Sequence, residues 1–243
     1  MHHKLVLEFD GTAYHGWQEQ PGGQPTVAGA VRDAIQRITG ERPRLAAAGR
    51  TDAGAHSLGQ TISFELASLM GSDELGKAVN AALPADITVR SAVVAEPGFH
   101  ARFSARRRTY RYLVENTPTR GALLRNHAWH VRQPLDISAM RAAAQPLLGE
   151  HDLAAFGSDP AGGNTVRTLA RLRVRSFGTA LVAFDLTANA FLYGMVRRIV
   201  GFLVEVGMGR RPAHDSGSLL LPGARAAARV APARGLYQLA VEY

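Results

Sequence analysis

The period of the hydrophobic pattern changes along this chain in one fixed order, and that order occurs twice. Leu5, Leu7 and Phe9 alternate with Lys4, Glu8 and Asp10, a half-buried strand. Thr26 has N-cap chemistry. Behind it Val27, Ala30, Val31, Ala34, Ile35 and Ile38 share one helical face, closed by Gly40. Residues 44–48 and 60–65 read as strands around a turn. Ser72 opens a second helix with Leu75, Val79 and Ala82 inward, Pro84 stops it, and residues 87–94 form a β-branched strand. The order β-α-β-β-α-β is a split βαβ, or ferredoxin-like, unit.

From residue 105 the order returns. Residues 109–115 are a strand with Tyr110, Tyr112 and Val114 on one face, and residues 129–132 a short extra strand. Asp136 caps a helix that aligns Ile137, Met140, Ala144, Leu147 and Leu148. Residues 157–164 are a loop rich in Gly, Asp and Pro, and strands follow over 167–177 and 180–187. A long helix starts near Phe191, a short Ala-rich helix lies around 223–230, and Tyr237, Leu239, Val241 and Tyr243 alternate on a closing strand. The predicted fold is α+β: two split βαβ (ferredoxin-like) halves, 1–104 and 105–243, with mainly antiparallel sheet. Such a pair leaves a cleft between its halves as the expected active site.

Charge separates the halves. Residues 1–104 hold 9 Lys+Arg against 11 Asp+Glu, whereas residues 105–243 hold 19 against 9. A basic half on a globular chain points to a polyanionic partner, most often nucleic acid. Compositional bias explains why only Lys4 and Lys77 are lysines; it does not explain the asymmetry. With no cysteine, disulfides and thiol catalysis are excluded and the cytoplasm is the expected compartment. No apolar run reaches membrane-spanning length, so no membrane association is expected.

Three stretches can carry chemistry. Gly49-Arg50-Thr51-Asp52-Ala53-Gly54 is a turn bracketed by glycines, with an arginine two residues before an aspartate. A neighbouring guanidinium favours the ionised carboxylate, and an ionised carboxylate on a tight turn is a candidate nucleophile or base. The same six residues also fit an Asx-type turn. Residues 99–112 place arginines among aromatics, a composition suited to RNA, in which arginine neutralises phosphate and rings stack on bases. Tyr110 and Tyr112 share a face, so the alternation equally fits tyrosines that pack inward. Residues 190–201 carry Arg197 among apolar residues, where it either snorkels to solvent or pairs with an acid such as Asp52. Arg167, Arg171, Arg173 and Arg175 are expected to alternate on one strand face. No Walker A or GxGxxG pattern occurs, and the lone HxxH of His127 and His130 reads as structural, so no cofactor and no metal are expected.

Taken together, these residues are recognisable. Gly49 to His56 resembles the active-site motif of TruA-type tRNA pseudouridine synthases. The resemblance runs in order through Phe9-Asp10-Gly11-Thr12, Gly16-Trp17-Gln18, Asn80 to Pro84, Phe99 to Ala105, Tyr110-Arg111-Tyr112, Asn189-Ala190-Phe191, Met195-Val196-Arg197 and Gly235-Leu236-Tyr237. It implies an enzyme that isomerises uridine to pseudouridine at positions 38–40 of the tRNA anticodon stem-loop, without small-molecule cofactor or metal, working as a homodimer. By the same resemblance Asp52 is the nucleophile, Tyr110 stacks on the target base, Arg197 pairs with Asp52, and Arg50 holds the flipped nucleotide. Gly194 stands where the family often has histidine, and residues 157–164 depart from its usual arginine-bearing loop. The rival readings are a non-catalytic RNA-binding protein and a pseudouridine synthase with another RNA target.

Overall fold

The computed structural model describes residues 1–159, 162–224 and 228–243. Its strands are β1 (His2–Phe9), β2 (Ala46–Ala47), β3 (His56–Glu65), β4 (Ile87–Val94), β5 (Arg107–Glu115), β6 (Trp129–His130), β7 (Gly149–Asp152), β8 (Val166–Phe177), β9 (Leu181–Ala188) and β10 (Leu236–Glu242). Its α-helices are α1 (Val27–Thr39), α2 (Ser72–Ala82), α3 (Ile137–Ala144), α4 (Met195–Gly207) and α5 (Asp215–Ser218). The chain divides into two units, one of Met1–Arg106 with Tyr237–Tyr243 and the other of Arg107–Leu236.

In the first unit β1 pairs antiparallel with both β3 and β4, and β2 pairs antiparallel with β3. The spatial order β4-β1-β3-β2 is the ferredoxin-like one expected from the sequence. Helix α1 forms because its apolar stripe has somewhere to go: Val27, Val31 and Ile35 are wholly buried, in one core with Leu5, Leu7 and Ile62. The Thr26 hydroxyl accepts the Gly29 N–H at 3.2 Å, a cap that contributes about 1 kcal/mol. Gly40 ends the helix in the left-handed region, at φ 76°. Helix α2 opens at Ser72, as the sequence reading has it. Its cap is Gly71, which makes no side-chain cap bond, and the Ser72 hydroxyl instead meets His3 Nδ1 at 2.8 Å. Asp73 and Glu74 in the first turn complement the helix dipole.

The closing strand corrects the sequence-derived boundary. Residues 237–243 were expected to belong to the 105–243 half, but they complete the first unit. Tyr237 and Gln238 pair in parallel with His56 and Ser57, on the edge of β3 away from β1. Tyr237 stacks on the His56 ring at 4.7 Å, and the Arg106 N–H donates to Glu242. Hydrophobic alternation reports that a strand exists; it does not report which sheet the strand joins.

The second unit has the order β5-β9-β8-β7, antiparallel throughout, with β6 parallel to β5. Helix α3 packs on α4 and β8, and α4 packs on β5. The Asp136 cap holds as read, its carboxylate accepting the Ala139 N–H at 3.0 Å. Strand β7 and helix α5 have four residues each and are too short to leave a periodic signal. Helix α4 starts at Met195 because Gly194, at φ 74°, occupies the left-handed region at its N-cap. Of the Ala-rich helix expected around 223–230, residues 225–227 lie outside the described residues, and the described flanks are not helical. The four arginines of β8 do not share a face. A register shift between Leu169 and Arg171 turns Arg171, Arg173 and Arg175 to the exposed side, while Arg167 keeps the parity of buried Leu169.

His3 is wholly buried and stacked on Phe64 at 5.5 Å. Burial first, then the charges of the N-terminus and His2, hold its pKa below the ordinary 6.5. The unfolded chain therefore takes up this proton near pH 6.5 while the folded chain does not. The contribution of His3 to stability is intact above that pH and is lost as pH falls below it. Urea midpoints at pH 7.5 and 5.5 should drop more for the wild type than for His3→Gln, which cannot titrate.

Candidate active site

The Asp52 turn leads from β2 into β3, and main-chain hydrogen bonds hold it. Ala48 N–H donates to Thr61 at 2.9 Å, Gln60 Nε2 donates to the Gly49 carbonyl at 2.6 Å, and Ala55 N–H donates to the Asp52 carbonyl at 3.1 Å. Gly54 takes φ 78°, which is why a glycine ends the turn. The loop after β1 grips it from outside: Trp17 N–H donates to Thr51 at 3.1 Å, and Gly54 N–H donates to Tyr14 at 3.2 Å. Two glycines permit that approach. A Cβ on Gly11 would lie 1.9 Å from the Ala55 carbonyl oxygen. On Gly16, at φ 87°, it would lie 2.6 Å from that of Thr51.

Tyr14 and Trp17 anchor this loop. Trp17 is buried and packs on Phe9 at 6.4 Å, while the Tyr14 hydroxyl donates to Asp86 at 2.6 Å. Burial and then this bond push the Tyr14 pKa well above that of an ordinary phenol. Asp10 starts the loop by accepting from Thr12 N–H at 2.9 Å and its hydroxyl at 2.6 Å.

With its frame fixed, the turn presents three different environments in sequence. Arg50 is exposed, Thr51 is buried, and Asp52 is partly exposed. The Thr51 Oγ1 is buried without a hydrogen-bond partner. Next to the turn, His56 is buried at the start of β3. Its Nδ1 lies 3.2 Å from the Gly11 N–H and 3.0 Å from an Asp10 carboxylate oxygen. Unprotonated at that atom, the ring accepts from Gly11; protonated, it pairs with Asp10. In the sequence His56 and Asp10 stand in motif stretches without a role of their own, because only the fold brings residues 10, 56 and 237 together.

The second unit carries the other two candidates. Tyr110 lies on β5 opposite Leu186 of β9 and is 8% exposed, with its ring edge-on to Phe191 at 4.9 Å. Tyr112 is wholly buried and takes the inward alternative left open by the alternation, whereas Tyr110 keeps part of its surface exposed. Arg197 stands in the first turn of α4, partly exposed. Its Nε donates to the Ala231 carbonyl at 2.6 Å, and the Ala231 N–H donates back to the Arg197 carbonyl at 3.1 Å. The Tyr112 hydroxyl donates to the next carbonyl, Pro232, at 2.6 Å. Burial drives its pKa far up, against the opposing charges of Arg197 and Arg234. A charge cluster unforeseen in the sequence lies on the same strand. Arg111 Nε meets the buried Asp185 carboxylate at 2.6 Å, and Arg175 binds its other oxygen. His130 of the HxxH pair contacts the Thr117 carbonyl through Nε2 at 2.8 Å, a structural role.

A carboxylate on a main-chain-fixed turn, within a ferredoxin-like α+β chain that carries buried tyrosines and a helix-borne arginine, is the arrangement expected of a pseudouridine synthase. Residues 5–104 and 143–243 match the family model described as tRNA pseudouridine synthase. The chain belongs to that family. It is 39% identical over 241 residues to "tRNA pseudouridine synthase A" of Caldicellulosiruptor bescii, covering 98% of each chain. It is 40% identical over 242 residues to the protein of that name from Acetivibrio thermocellus, with 99% and 98% covered. To the one from Roseiflexus castenholzii it is 44% identical over 243 residues, with 98% and 89% covered.

Gly16, compared with Gly22 in open space, gives the frame a direct test. Gly16→Ala combines a left-handed backbone, costing roughly 1–2 kcal/mol, with a contact no Cβ tolerates. Gly22→Ala, at φ 104° with nothing within 4 Å, carries only the backbone cost. Denaturation midpoints should fall further for Gly16→Ala than for Gly22→Ala.

Proposed function

We propose that this chain isomerises uridine to pseudouridine at positions 38–40 in the anticodon stem-loop of tRNA, with Asp52 as nucleophile. In this reading the Asp52 carboxylate attacks the target nucleotide and the C1′–N1 bond breaks. The freed uracil turns and rejoins through C5, and the bond between Asp52 and the nucleotide breaks, which releases the carboxylate. N1 gains a proton and C5 loses one, so substrate and product have the same atoms and no cofactor or metal is required. The uridine must leave the stacked stem to expose these atoms. Arg50, exposed two residues before Asp52, holds the flipped nucleotide and its phosphate. Tyr110 stacks on the target base while Phe191 braces its ring. Arg197 balances the Asp52 carboxylate. The enzyme works as a homodimer in the cytoplasm, with tRNA drawn to the basic residues 105–243. No helix among the described residues is long and apolar enough to cross a membrane.

The observation that carries the reading is the environment of Asp52. Membership of the family supplies the reaction class, and a partly exposed carboxylate on a turn whose backbone is bonded to the Trp17 N–H, the Tyr14 carbonyl and the Gln60 side-chain amide supplies an atom able to perform it.

Incubation of the purified protein with unmodified tRNA transcript, followed by mapping of pseudouridine by position, is the decisive experiment. Signal confined to positions 38–40 is expected, and Asp52→Ala should abolish it while tRNA affinity stays within about threefold. Signal at other positions only, or full activity in Asp52→Ala, rejects the reading. For Arg197, a double-mutant cycle of Arg197→Ala with Asp52→Asn, read in the free energy of urea unfolding because the Asp52 variants are inactive, should show non-additivity. Simple additivity removes Arg197 as the partner of Asp52.

A further inference from the structure

Residues 99–105 form a tight loop whose middle is anchored at both ends of one peptide. Ala101 is wholly buried; its N–H donates to the Ser63 hydroxyl on β3 at 3.1 Å, and its carbonyl accepts from the Tyr243 hydroxyl at 2.9 Å. The loop also closes on itself. His100 N–H donates to the Ser104 hydroxyl at 3.0 Å, and Ser104 N–H donates to the His100 carbonyl at 2.9 Å. His100 Nδ1 accepts from the N–H groups of both Arg102 and Phe103, at 3.2 and 3.3 Å. At its base Phe99 packs on Tyr243 at 4.8 Å, and Lys4 Nζ lies 4.8 and 4.6 Å from the centres of those two rings.

All this order displays an apolar ring to solvent. Phe103 is 77% exposed, whereas Phe9, Phe64, Phe156, Phe184 and Phe202 are buried. The exposed ring is not isolated. The His100 ring lies against it at 4.4 Å and 32°, and the Arg102 guanidinium sits 5.5 Å from its centre. A phenyl ring standing in water gains nothing for the fold, and a loop with so many bonds has no need of it. A rigid π face with a guanidinium beside it meets the requirements of a nucleobase and its phosphate: the ring stacks, and the cation neutralises. Aromatic rings and arginines also serve contacts between proteins, so the test below separates an RNA base from a second copy of the chain.

We propose that Phe103, with Arg102 beside it, is a stacking finger that receives an unstacked nucleobase of the RNA substrate, making it a binding and positioning residue additional to Asp52, Arg50, Tyr110 and Arg197. The assignment rests on the proposed tRNA substrate, but it concerns binding and is separable from turnover. Its occupant is an RNA base, taken up when the local stem opens for flipping.

The test uses the full-length Asp52→Ala protein, so that no chemistry intervenes. 2-Aminopurine is placed in turn at each position of the anticodon arm of a tRNA transcript. Binding should quench the fluorophore at one or two positions beyond what duplex stacking accounts for, and Phe103→Ala should remove that quenching. Phe103→Tyr should retain it, and Phe103→Leu, of similar bulk without a π face, should not. In the otherwise wild-type enzyme Phe103→Ala should lower kcat/KM for tRNA roughly ten- to a hundredfold, while the thermal midpoint and sedimentation coefficient stay unchanged. Phe103-independent quenching at every position, or Leu performing as well as Phe, overturns the stacking assignment. A shift of Phe103→Ala to a smaller oligomer overturns it in favour of a contact between copies of the chain. A failure of the target mapping alone, with Phe103-dependent quenching intact, would count against the reaction site and leave the finger standing.

Discussion

Everything about the candidate active site depends on how closely two backbones approach. The loop after β1 lies so near the Asp52 turn that no side chain fits at Gly11 or Gly16, and main-chain bonds from Trp17 and Gly54 fasten the two together. Because the turn is positioned by peptide groups, the Arg50 and Asp52 side chains do not have to position it themselves. A carboxylate held in this way has a location set by covalent geometry and a handful of N–H bonds, and rotamer entropy enters only at its last two torsions. Trp17 and Tyr14, buried behind the loop, prevent the frame from opening.

The second unit shows the opposite strategy, in which charge is placed against local preference and then tied down. Arg197 and Arg198 occupy the first turn of α4, the positive end of the helix dipole, where acidic residues are favoured and none is present. The reciprocal bonds between Arg197 and Ala231 secure the first of these arginines. Asp185 is likewise a buried carboxylate, held between two guanidiniums, from Arg111 and Arg175. Removing it would leave two cations facing each other across a sheet, more costly than the pair is favourable. Local rules broken in this way, with compensation supplied from distant residues, are typical of segments retained for function.

Where the pattern is long, sequence and structure agree. Helices α1 and α2 and strands β1, β4, β5, β8 and β9 announce themselves through period and caps, because each buries one face along its length. The Gly-bracketed turn was legible because Gly54 needs a left-handed backbone. The places that escaped are those decided by distant partners. The pairing of His56 with Asp10 and Tyr237 joins residues far apart in the chain. The shift in β8 that splits its arginines between two faces depends on its register with β9. Strand β10 looks from its alternation like the last strand of the second half, and its alliance with β3 has no local signature.

That alliance bears on how the protein is made. The strand that flanks His56, and the tyrosine whose hydroxyl secures Ala101, are synthesised after the whole of residues 107–236. A ribosome therefore releases the first unit with an open sheet edge beside the aspartate turn, and the edge waits through the synthesis of an entire second unit before its own strand arrives. During that interval the growing chain carries the aspartate turn beside an edge of β3 that β10 has yet to cover.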